Sequence, residues 1–127
     1  MIKFDHIEVH VTNSKKYASF LKKIFNGGRY KKISENETYM FISNDNFHIE
    51  IKENQNFVKK FKKSDGIGFC MPCLRYSGAY KHLLQISEIE ITDEVQNPDG
   101  PCYFFKDYEG IEWHIKAYDV QDKYINI

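Results

Sequence analysis

Residues 39–52, YMFISNDNFHIEIK, shifted by 64 positions fall without a gap on residues 103–116, YFFKDYEGIEWHIK. Tyr39/Tyr103, Phe41/Phe105, Ile51/Ile115 and Lys52/Lys116 are identical across the shift, and Met40/Phe104, Phe47/Ile111 and Ile49/Trp113 keep apolar character. A shift of 60 lays residues 5–24 on Asp65 to Leu84, with Asp5/Asp65, Ile7/Ile67, Phe20/Tyr80 and Ile24/Leu84 in register. Tyr, Phe, Ile and Lys are common here, so a few coincidences are expected. The same order of elements in both halves is not, and duplication accounts for it. At 127 residues the chain is expected to be one domain of two similar halves. Repeat one spans about 1–54, a linker about 55–64, repeat two about 65–120 and a tail 121–127. Separate cofactor and substrate domains do not fit this length.

The elements within each half follow from hydrophobic spacing. In KFDHIEVHV, residues 3–11, Ile7, Val9 and Val11 fall on one side and His6, Glu8 and His10 on the other, the alternation of a half-buried strand. Asn13-Ser14 then offers an N-cap to a helix carrying Tyr17, Phe20, Leu21, Ile24 and Phe25, which stops at Gly27-Gly28. Strands are predicted at 28–34, 37–43 and 46–52, separated by the polar turns SENE and NDN. Residues 53–65 are polar and basic and read as a surface connection. A strand in GIGFCMPC, a helix over 76–86 with Tyr80, Leu83 and Leu84, and strands at 88–94, 101–106 and 111–118 complete the second half. The fold class is α+β, with the order β-α-β-β-β occurring twice.

Bulk charge excludes more than it indicates. Lys+Arg and Asp+Glu are both 18, so no net field draws the chain to nucleic acid or anionic lipid. No apolar run approaches the roughly 20 residues of a membrane helix. The start, MIKFDHIEVH, carries charges where a signal peptide has its hydrophobic stretch, so a cytoplasmic location without membrane association is expected. Three cysteines in a chain of this length read as reduced thiols. Cys70-Met-Pro-Cys73 has redox or half-zinc spacing, but it ends an apolar run instead of opening a helix, and no second such pair exists. Packed thiols are the better reading.

The repeated β-α-β-β-β unit, His6 on the first strand, and the ending Asp107-Tyr108-Glu109-Gly110-Ile111-Glu112-Trp113-His114-Ile115 resemble the glyoxalase, bleomycin-resistance and extradiol-dioxygenase group, the vicinal oxygen chelate superfamily. The resemblance covers nearly the whole chain. It implies two repeats forming a curved mixed sheet with helices on the convex side and a concave active cleft. Metal-dependent members take ligands from early in the first strand and from the last strand of each unit. The matching positions are His6 in FDHIEV, Glu50 in FHIEIK, and His114 in IEWHIK, where the family usually has Glu. The fourth falls on Gly66 or Ile67, neither of which binds metal. A homodimer is also implied, since many single-chain members complete their clefts between subunits.

The residues carry a parallel argument. His6, Glu8 and His10, then His48, Glu50 and Lys52, then Glu112, His114 and Lys116 each share a strand face, while the residues between them are apolar. A sheet with one wet face gives such a pattern without any function. Wet faces draw on Lys, Ser, Thr and Asn, however, whereas four of the five His lie on these three fronts. His6, Glu50 and His114 offer two imidazoles and a carboxylate, a set suited to a divalent metal such as Fe, Mn, Zn or Ni. Glu8 and His10 are the candidates for acid–base work or for orienting the ligands.

Tyr39, Phe41, Tyr103 and Phe105 stand on the penultimate strands, where alternate residues would face the cleft and an apolar or aromatic ligand, unless they are core. Trp113 has the parity of the apolar back. Arg29 and Arg75 are the only arginines, which disfavours a phosphonate or glutathione substrate. Two readings follow. One is a metal-dependent lyase, isomerase or dioxygenase acting on a small molecule with adjacent oxygens. The other is a metal-free protein of the bleomycin-resistance type that binds a drug or metabolite.

Overall fold

The computed structural model describes residues 2–54, 67–73, 77–98 and 100–119. The expected linker, Gly66, Arg75 and the tail lie outside the described residues. The chain divides into two compact units, Met1–Val58 and Lys59–Ile127.

In unit 1 the order is β1 (Ile7–Val11), α1 (Ser14–Ile24), β2 (Arg29–Ser34), β3 (Thr38–Ile42) and β4 (His48–Glu53). Its sheet runs β1-β4-β3-β2, with β1 parallel to β4 and the other neighbours antiparallel. A parallel pair needs a long crossover, and α1, β2 and β3 together provide it. Asn13 caps α1, its side chain accepting the Lys16 N–H at 3.0 Å. Glu53, at the end of β4, accepts the Ser14 N–H at 2.9 Å and so ties the helix start to the sheet. The helix buries Tyr17, Ala18, Phe20, Leu21 and Ile24 on the sheet face that carries Val9, Val11, Ile49 and Ile51, all of them buried. Beyond the helix Asn26, Gly27 and Gly28 all have positive φ, and at Gly28 (φ 95°) a Cβ would meet Phe41 Cζ at 2.6 Å. Only glycine reconciles that backbone with that contact.

Unit 2 repeats the plan: β5 (Ile67–Cys73), α2 (Ser77–Leu84), β6 (Ile89–Asn97), β7 (Gly100–Asp107) and β8 (Glu112–Asp119), in the order β5-β8-β7-β6 with β5 parallel to β8. The correspondence extends to single ladder pairs. Ile7↔Ile49 in unit 1 becomes Ile67↔Trp113, and Tyr39↔Ile51 becomes Tyr103↔Ile115. The hairpin turns match as well: the Ser43 N–H donates to Phe47 O and the Asp107 N–H to Ile111 O, while Asn46 and Gly110 hold the same left-handed position at φ 68° and 86°. Both repeats therefore obey the shifts of 60 and 64 read from the sequence.

Differences are local. The ladder of β1 begins at Ile7, so His6 stands just before the strand instead of inside it. On α2 Leu83 is buried but Tyr80 and Leu84 are exposed, unlike their counterparts Phe20 and Ile24. No helix among the described residues is long and apolar enough to cross a membrane.

Candidate functional site

Residues paired directly across strands share a face of the sheet. In unit 1 the face turned away from α1 is therefore built from Glu8 and His10 of β1, His48, Glu50 and Lys52 of β4, and Met40 and Ile42 of β3. The parallel pairing sets Glu8 beside Glu50 and His10 beside Lys52. His6 precedes β1 on the same side, and its Nε2 stands 3.7 Å from Glu50 Oε2. Its other ring nitrogen, Nδ1, is 2.6 Å from Asp5 Oδ2. An ionised carboxylate only accepts, so Nδ1 carries the hydrogen and donates it to Asp5.

That assignment decides what Nε2 offers. In neutral His6 it presents a lone pair toward a carboxylate oxygen that is itself only an acceptor, and a cation between them satisfies both. A proton is one such cation: the hydrogen bond to Asp5 raises the His6 pKa above its ordinary 6.5 against the opposing effect of desolvation, and the charge of Glu50 adds to it. A metal ion is the other. Imidazole nitrogen and carboxylate oxygen are both donors a divalent metal would take, and His6 Nε2 and Glu50 Oε2 stand 3.7 Å apart. The residues thus fit a divalent metal, and the Asp5–His6 pair has the form of a carboxylate that fixes the tautomer of a metal-binding imidazole.

The rest of the face is one charge network. Lys52 Nζ lies 3.2 Å from Glu8 Oε1 and 3.6 Å from Glu50 Oε1, bridging the two carboxylates. His10 Nε2 is 2.7 Å from Glu8 Oε2, so this nitrogen carries the hydrogen that Glu8 accepts. The hydrogen bonds from His10 and then Lys52 hold the Glu8 carboxyl below its usual pKa, and Glu8 in turn raises that of Lys52. His48 has its Nε2 3.3 Å from Asn46 Oδ1, away from this network.

In unit 2 the corresponding face holds Glu112, His114 and Lys116 of β8 with Phe104 and Lys106 of β7. His114 is flanked by Gly68 on β5 and by Phe104, whose ring centroid lies 5.0 Å from the imidazole. The place that Glu8 takes beside Glu50 is thus held by glycine beside His114. Among the described residues no three or more His, Cys, Asp or Glu are grouped to hold a metal. His6 and Glu50 come together in unit 1, and His114 belongs to unit 2.

For the aromatic residues of the penultimate strands the structure decides between cleft and core. Tyr39 pairs with Ile51, Phe41 with Ile49, Tyr103 with Ile115 and Phe105 with Trp113, which sets all four on the helix-covered face. They are buried core, as is Trp113, whose ring stacks on Phe105 at 6.4 Å and 6°. The large apolar residues on the open faces are the ones between them, Met40, Ile42 and Phe104. Sequence reasoning also passed over Asp5 as a partner for His6. It lies ahead of β1, where strand alternation no longer tells which side a residue takes, and adjacency to His6 was the one available signal.

Two β-α-β-β-β units, each with its first strand parallel to its last, make a glyoxalase-like fold. Comparison with solved structures finds the same fold in other proteins. FosX, a fosfomycin resistance protein from Listeria monocytogenes, in a variant complexed with Mn(II) and 1S,2S-dihydroxypropylphosphonic acid, superposes with a TM-score of 0.74 at 20% identity over 95% of this chain and 94% of that one. A glyoxalase/bleomycin resistance protein/dioxygenase domain from Frankia sp. EAN1pec gives 0.72 at 11% identity over 100% and 99% of the two chains. FosX from Mesorhizobium loti gives 0.70 at 13% identity over 92% and 93%. No protein-family model matches the sequence, and comparison with curated proteins finds no relative. At these identities the likeness establishes the fold.

Proposed function

We propose that this chain is a metal-dependent enzyme acting on a small molecule with adjacent oxygens, as a lyase, isomerase or dioxygenase. His6 and Glu50 would hold a divalent ion of the Fe, Mn, Zn or Ni group, and the resemblance read from the sequence adds His114 as a third candidate ligand. The observation that carries the reading is the His6–Glu50 pair, two acceptors facing each other at 3.7 Å with the far side of the imidazole fixed by Asp5. Support comes from the FosX neighbour, complexed with Mn(II) and a compound bearing two adjacent hydroxyls. When bound, the ion supplies Lewis-acid polarisation and a template for the adjacent oxygens.

The remaining chemistry belongs to side chains of β1 and β4. His10 gives its Nε2 hydrogen to Glu8, which leaves Nδ1 to accept a proton from substrate and return it. Glu8, kept ionised by His10 and Lys52, orients that imidazole and stabilises it once protonated. Lys52 offsets the negative charge that Glu8 and Glu50 concentrate on one face.

A second reading is a metal-free protein that sequesters a small molecule, an antibiotic among them, between two copies of the chain. Gly68 beside His114, where unit 1 has Glu8 beside Glu50, favours it. Metal content and divalent-metal affinity of protein purified without a His tag, compared with His6→Ala and His114→Ala, separate the two. The enzyme reading expects about one ion per chain and at least a tenfold loss in each variant. Wild-type protein that binds no metal, or variants that bind as well as wild type, would sink it.

A further inference from the structure

Resting on the metal reading above, we propose that Arg29 and Lys31 receive the anionic end of the ligand. The ligand is then a small acid, with adjacent oxygens at the His6–Glu50 pair, an apolar spacer over Met40 and Ile42, and one carboxylate or similar anion at β2.

The observations all lie within unit 1. Register supplies the first. Ladder pairs join Glu50 to Met40 and Met40 to Lys31, and in the next row His48 to Ile42 and Ile42 to Arg29. Directly paired residues share a face, so the open face changes chemistry strand by strand, from His and Glu on β4 to apolar side chains on β3 and cations on β2. Neighbouring strands lie about 4.8 Å apart, which sets Lys31 about 10 Å across the sheet from Glu50, the span of a ligand with one ring between its two ends.

Charge pairing supplies the second. Lys32, on the other face opposite Tyr39, is held by Glu37 at 2.7 Å. Arg29 and Lys31 are exposed, and no carboxylate among the described residues pairs with either. The third is a comparison of the two edge strands. Charges on an edge strand guard it against pairing with other chains, whatever their sign. Unit 2 guards its edge with acids: Glu90 beside Lys106 and Asp93 beside Phe104 take the places of Arg29 beside Ile42 and Lys31 beside Met40. The fold therefore does not dictate cations at these places. They occur in the unit that also carries His6 and Glu50, where half-buried Met40 and Ile42 offer an apolar floor between the two charged ends.

Two hydroxamates, 4-carboxybenzohydroxamate and 4-carbamoylbenzohydroxamate, test the proposal, because they share a chelating head and an outline and differ in one charge. Each is titrated calorimetrically into Mn(II)-loaded wild type, Arg29→Gln, Lys31→Gln, the double variant and Lys15→Gln, and Mn(II) alone is titrated into every protein. Lys15 is an exposed cation of α1, on the covered side of the sheet. Wild type should favour the carboxylate about threefold to tenfold at low salt, and added salt should shrink that preference, as it does for exposed charges. Each single substitution in β2 should lose part of the preference and the double variant nearly all, while Lys15→Gln keeps it. The substituted side chains are all exposed, so the variants should fold, and their Mn(II) binding reports whether the His6–Glu50 pair is intact. Intact Mn(II) binding with no preference in wild type, with the same preference in the double variant, or with an equal loss in Lys15→Gln overturns this proposal and leaves the metal reading standing. Wild type that binds no Mn(II) overturns both.

Discussion

Asp107 Oδ2 accepts the indole N–H of Trp113 at 2.9 Å in the interior of unit 2. Its other oxygen accepts the backbone N–H of Glu109 at 2.9 Å and of Ile111 at 3.0 Å. One buried carboxylate thus closes the β7–β8 turn and anchors the largest core side chain. Asp107→Ala leaves three donors without this acceptor and should cost about 3 kcal/mol or more, at roughly 1–3 kcal/mol per unsatisfied buried group with partial relaxation. Asp107→Asn keeps one acceptor oxygen and should cost less. Urea denaturation followed by fluorescence reads this directly, since Trp113 is the one tryptophan of the chain.

Gly28 and Gly110 have similar positive φ, 95° and 86°, but different surroundings. A Cβ at Gly28 meets Phe41 Cζ at 2.6 Å and Ile42 O at 2.9 Å, whereas at Gly110 nothing lies within 4 Å. Gly110→Ala should therefore cost only the backbone term of about 1–2 kcal/mol, and Gly28→Ala clearly more. Gly110→Asn should be milder than Gly110→Ala, because Asn46 holds the equivalent position in unit 1 at φ 68°. Comparing the denaturation midpoints of the three variants checks the order.

The imidazole of His6 should titrate above 6.5 in metal-free protein, since Asp5 and Glu50 favour its charged form. A folded pKa above the unfolded one contributes stability that is fully present below the unfolded value and lost as pH rises through the folded value. Asp5→Asn removes the main cause, so the midpoint should fall and the stabilisation should fade at lower pH. NMR titration of the His6 ring resonance measures both; an unchanged midpoint in Asp5→Asn would show that Asp5 is not the cause.

Lys52 places a positive charge 3.6 Å from Glu50 Oε1. Replacing it by methionine should raise the affinity for Mn(II) about threefold to tenfold at low salt, the size of roughly 1 kcal/mol between screened charges. The gain should shrink as salt is added. A loss of affinity in Lys52→Met would instead mean that the ammonium group holds the carboxylate in its binding position.

Much of this molecule was legible in the chain of letters. Alternation around Ile7, Val9 and Val11, the spacing from Tyr17 to Ile24, the cap at Asn13 and the stop at Gly27-Gly28 each express a local rule, and the elements formed where those rules set them. The shifts of 60 and 64 even anticipated which ladder pairs recur. Local rules failed at β3 and β7. In TYMFI and CYFF both faces are apolar, so a period of two carries no information about which side meets the helix. The hairpin turns set that parity, placing Tyr39 and Phe41 in the core and Met40 beside Glu50.

What the sequence determined alone was the duplicated β-α-β-β-β order and the concentration of His and Glu on particular strand faces, because periodicity and capping act over a few residues. The tertiary structure decided that β1 lies against β4, so that Glu8 meets Glu50 across 42 residues of chain and His6 comes within 3.7 Å of Glu50. It also decided that Asp5 fixes the His6 tautomer and that Met40 and Phe104 are the apolar neighbours of the candidate ligands. Those relationships depend on strand order and register, which arise only when the sheet closes over its helix.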